Sequence, residues 1–75
     1  MDAELVPHDL EYRDHRVWLG VTRYNDAHYG CEAHVVKDGV EIDHFTLYGT
    51  AYEATFLAAL SHAKAVISIR MARPS

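Results

Sequence analysis

The chain has 75 residues, 49% of them hydrophobic and 24% charged, with a single cysteine. That composition describes one globular domain in a reducing, cytoplasmic setting; it excludes a separate catalytic domain, an internal disulfide and a cysteine-rich zinc site. The net charge of −4 sits in residues 1–11, where Asp2, Glu4, Asp9 and Glu11 stand without a lysine or arginine; the neutral remainder carries no footprint for nucleic acid.

Residues 1–11 are polar and interrupted by Pro7, and read as a loose acidic arm. Residues 12–75 read as the single folded domain. Its first strand is expected over Arg16–Tyr24, because Val17, Leu19 and Val21 alternate with Trp18, Gly20, Thr22 and Tyr24. Asn25-Asp26-Ala27 is turn chemistry. A second strand follows over His28–Val36, with Tyr29, Cys31, Ala33 and Val35 on one face.

Lys37-Asp38-Gly39 marks the next turn. A three-residue loop and a two-residue Asp38-Gly39 loop differ by one residue in register, which inverts every side chain of the following strand. The three-residue loop keeps Phe45 and Leu47 on the core face, opposite Cys31 and Tyr29. It is the expected one. The third strand then spans Val40–Tyr48.

Thr50 and Glu53 have the spacing of a capping box, so a helix is expected from Ala51 to about Met71. Phe56, Leu60, Ala63, Ile67 and Met71 recur at helical spacing as its buried stripe. Val66-Ile67-Ser68-Ile69 is β-branched enough for a strand, but no Gly or Pro separates it from the helix. The expected fold is α+β in two layers: a three-stranded antiparallel meander with one C-terminal helix packed on one face, β-β-β-α.

One helix covers one face. The other is expected to hold Trp18, Thr22, Tyr24, His28, Glu32 and His34, joined by Val36, Val40, Ile42, His44 and Tyr48. So apolar and aromatic a face reads as an interaction surface, occupied by a second copy or another protein, or as ground covered by the arm. On it Glu32 is expected opposite His44 with His34 nearby, a cross-strand pair and a weak candidate metal set. No cofactor is expected. Neither is catalysis: Cys31 is expected in the core, away from the histidines, and no phosphate loop or nucleophile elbow is present. No apolar run approaches the roughly 18 residues of a membrane span, and the acidic start is not a signal peptide. Six histidines make charge and association sensitive to mild acid.

Three resemblances follow from these residues. Tyr52-Glu53-Ala54 at the helix start and Ala63-Lys64-Ala65-Val66-Ile67 near its end resemble small uncharacterised bacterial β-β-β-α proteins over about residues 12–70. This implies a fold and no activity. Gly49-Thr50-Ala51-Tyr52-Glu53-Ala54 is similar to the helix start of HicB-type antitoxin domains, which implies toxin binding and dimerisation. Val36-Lys37-Asp38-Gly39 followed by a helix resembles the end of a double-stranded RNA-binding domain. The phosphate-gripping lysines of that family are replaced here by Thr50, Ala51, Tyr52 and Glu53, so RNA binding is disfavoured by charge.

Overall fold

The computed structural model describes residues 4–72. It contains four antiparallel strands in the order β1-β2-β3-β4 and one C-terminal helix. β1 spans Glu4–Tyr12, β2 His15–Asn25, β3 His28–Lys37, β4 Val40–Gly49, and α1 Tyr52–Ala72. The segment 66–71 is therefore helical. The class is the expected one, with four strands in place of three.

The added strand is the stretch read as an acidic arm; residues 1–3 lie outside the described residues. β1 pairs with β2 from Glu4 to Tyr12. Its acidic residues hide a period-two pattern. Leu10 and Tyr12 pack against the core, and His8 Nε2 is hydrogen-bonded to the Tyr52 hydroxyl at 3.0 Å. Lys64 Nζ lies 5.2 Å from the centre of the Tyr12 ring. Asp9 turns to the other face and pairs with Arg16 Nε at 3.2 Å. Pro7 is tolerated because β1 is an edge strand, where a missing N–H need not break a ladder.

The core lies between α1 and the sheet. Val17, Leu19 and Val21 of β2 meet Cys31, Ala33 and Val35 of β3, all closed from solvent. From the helix come Thr55, Ala59, Ala63 and Ile67. The buried stripe is thus turned from the expected one: Phe56 and Leu60 flank it, and Met71 is exposed. Small residues at 55, 59 and 63 let the helix lie close to the two central strands.

The start of the helix also differs. Thr50 and Glu53 form no capping box; instead Thr55 donates both its backbone N–H and its hydroxyl to the Ala51 carbonyl, at 3.0 and 2.5 Å. Ala51 therefore occupies the cap position.

The β3–β4 hairpin resolves the register. Its loop has two residues, Asp38 and Gly39, between paired Lys37 and Val40. Both loop residues have positive φ, 53° and 79°, as a type I′ turn requires. Alone, this turn would put Phe45 and Leu47 on the wrong face. A bulge restores them: Val36 pairs with Glu41 but Val35 with Asp43, leaving Ile42 unopposed. Cys31 then faces Leu47, Ala33 faces Phe45, and Tyr29 faces Gly49. The expected facing of Phe45 and Leu47 holds, through a different turn and with partners two residues displaced.

Candidate interaction face

The sheet face away from α1 presents its side chains in cross-strand rows. Trp18, His34 and His44 form one row across β2, β3 and β4; Thr22, Gly30 and Tyr48 form another. Between them Glu32 is paired with Thr46, not with His44 as the longer loop implied. Ile42 leaves this face altogether. As the bulged residue it packs against the core on the helix side. Glu41 takes its place, a residue the uninterrupted alternation had put on the helix side.

The charged end of the face is built around His34. Its Nδ1 lies 2.5 Å from Glu41 Oε1 and its Nε2 lies 2.8 Å from Glu32 Oε2. His44 Nδ1 reaches the other Glu41 oxygen at 3.4 Å, and its ring stacks on His34 at 6.0 Å with 22° between planes. Trp18 closes the far side, 5.3 Å from the His34 ring. Contact with Glu41, reinforced by Glu32, raises the His34 pKa above the ordinary 6.5. With a carboxylate oxygen at each ring nitrogen, the arrangement favours the protonated ring.

The opposite end is aromatic. Tyr24 and His28 approach at 4.9 Å, His28 and Tyr48 at 5.8 Å, and the two tyrosines at 6.5 Å. They gather over Gly30: a Cβ there would stand 3.1 Å from the Tyr24 ring and 3.2 Å from that of Tyr48. Tyr24 is 42% and Tyr48 64% exposed, large apolar rings with nothing above them among the described residues.

Of the residues expected on this face, all but Val40 and Ile42 are there; Val40 pairs with Lys37 and so points to the helix side. Among the described residues, no group of three His, Cys, Asp or Glu is arranged to hold a metal ion. The candidate set of Glu32, His34 and His44 does not converge: Glu32 bonds one side of the His34 ring and His44 stacks on it. Cys31 lies on the helix side, and burial pushes its thiol pKa up. No described helix is long and apolar enough to cross a membrane.

The fold and the face define a small two-layer α+β domain with one sheet surface uncovered. No protein-family model, curated protein or solved structure matches this chain.

Proposed function

We propose that this chain is a non-enzymatic interaction module that self-associates through its open sheet face. The observation that carries the reading is the exposure of Tyr24 and Tyr48 on a sheet face that the helix leaves open. Arg16 is paired with Asp9, and His34 with Glu32 and Glu41. The area supports the same occupant. Four strands of this length offer about 30 by 20 Å, or roughly 600 Å² per copy, so that two copies bury about 1,200 Å², the lower end for a stable specific interface. Burial of the second face also suits a core this small.

The test is sedimentation velocity from low to high micromolar protein, with the emission of Trp18 recorded alongside. A dimer is expected, and Tyr48→Glu returns it to monomer with an unchanged circular dichroism spectrum. A monomer at high micromolar concentration overturns the proposal.

A further inference from the structure

A cleft of about 670 Å³ lies at the other end of the molecule, where the C-terminal turns of α1 meet the β1–β2 and β3–β4 turns. That volume is within the range of roughly 300–1,000 Å³ typical of small-molecule sites. Its floor is apolar, made by Ile42, Val66 and Ile69. Ile69 is 61% exposed.

Four independent features converge here. The first is His15, a wall residue only 2% exposed. Its Nδ1 lies 2.9 Å from the Arg13 carbonyl, so Nδ1 carries the hydrogen. Nε2 is buried with no hydrogen-bond partner among the described residues. A buried polar atom left unpaired costs stability and calls for a reason.

The second is the β1–β2 turn. Arg13 and Asp14 both have positive φ, 50° and 67°, where a two-residue hairpin loop prefers Asn-Gly. Both side chains go to the cleft rim. Arg13 donates to Ser68 Oγ at 3.4 Å, and Asp14 binds Lys37 Nζ at 2.7 Å. The third is the bulge in β4, which brings Ile42 to the helix side, where it and Asp43 both line the cleft. The fourth is charge. Lys37 and Asp14 satisfy each other. This leaves Arg13 and Arg70 against the single carboxylate of Asp43, which accepts the His44 backbone N–H at 2.9 Å.

We propose that this cleft is a binding site for a small amphiphilic anion. The hydrocarbon or aromatic body lies on Ile42, Val66 and Ile69. The carboxylate or phosphate head faces Arg13 and Arg70, whose planar guanidiniums suit such groups. The His15 ring, part of the cleft wall, responds to the filled cleft. The site is separate from the open sheet face and does not depend on self-association.

The test is an NMR titration of the full chain with octanoate, octylammonium and octanol in turn. Octanoate is expected to saturate, moving the methyl signals of Val66 and Ile69 and the ring signals of His15. Octylammonium and octanol are expected to bind at least roughly tenfold more weakly. Arg70→Glu lowers octanoate affinity by a similar factor with an unchanged amide spectrum elsewhere. Arg13→Gly, which removes both a cationic contact and an unfavourable φ, weakens octanoate binding while raising the melting temperature. Shifts that fail to saturate, shifts spread over the open sheet face, equal binding of octylammonium or octanol, or an affinity unchanged in both variants each overturn the proposal.

Discussion

His34 and Glu41 meet across the β3–β4 ladder at 2.5 Å, because the two-residue turn pairs Glu41 with Val36, on the face that His34 occupies. The longer loop would have put Glu41 on the helix side, and the bulge at Ile42 then returns His44 to the face of His34. The turn thus supplies the acceptor that, with Glu32, raises the His34 pKa.

The stability that this contact adds depends on pH with a defined sign. A raised His34 pKa means that the folded state binds the proton more tightly than the unfolded chain. The contribution is complete below the ordinary value of 6.5 and disappears as pH rises through the folded value. Urea unfolding of wild type and His34→Gln should therefore differ most below the ordinary histidine value, with the gap closing as the pH rises above it. A gap that widens with pH would show that the ring is not paired as an imidazolium.

Helix docking is set by small residues. Ala63 is closed from solvent between α1 and the central strands, so Ala63→Leu forces side chains off their rotamers and costs about 1–3 kcal/mol. Ile67, also closed, leaves a cavity when cut to alanine, at a cost of about 2–5 kcal/mol. Urea midpoints at constant m-value check both.

Two glycines test opposite faces. At Gly49 an added Cβ would collide with Thr55 Oγ1, the hydroxyl that bonds the Ala51 carbonyl. Gly49→Ala should destabilise the fold by about 1–3 kcal/mol. At Gly30 the obstacle is only the ends of the Tyr24 and Tyr48 rings. Gly30→Ala should leave the urea midpoint nearly unchanged and weaken self-association in sedimentation, since both rings must tilt away.

Cys31 should be inert in the native state. It is fully buried and its thiol pKa is raised by that burial. Its reaction with a disulfide reagent should follow global unfolding, with labelling accelerated by urea in step with the unfolded fraction.

The legible parts of this fold were those with an undisguised pattern. Val17, Leu19 and Val21 alternate cleanly, and no glycine or proline divides the helix before Pro74. β1 was hidden because its inward positions hold His8, Leu10 and Tyr12, two of which are polar enough to read as surface, while Asp9 and Glu11 dominate its charge. Its inward side is recognised through tertiary partners such as Tyr52 and Ser68, more than forty residues away. The aromatic end of the open face followed from period two alone. Its charged end did not, because the two-residue turn and the bulge at Ile42 together reverse the expected sides of Val40, Glu41 and Ile42. The cleft was invisible for a similar reason: His15 is buried by elements it does not adjoin in sequence.

The bulge at Ile42 has a further consequence for how uniquely the hairpin is specified. A three-residue loop without a bulge, and the observed two-residue loop with one, give Phe45 and Leu47 the same facing. The two alignments differ by two residues, a slide of about 7 Å along β4. Alternation of side chains therefore does not choose between them. The choice rests on Asp38 and Gly39 both accepting positive φ and on the fit of Gly49 against Thr55. The hairpin has a decoy one pleat away, and two glycines guard against it.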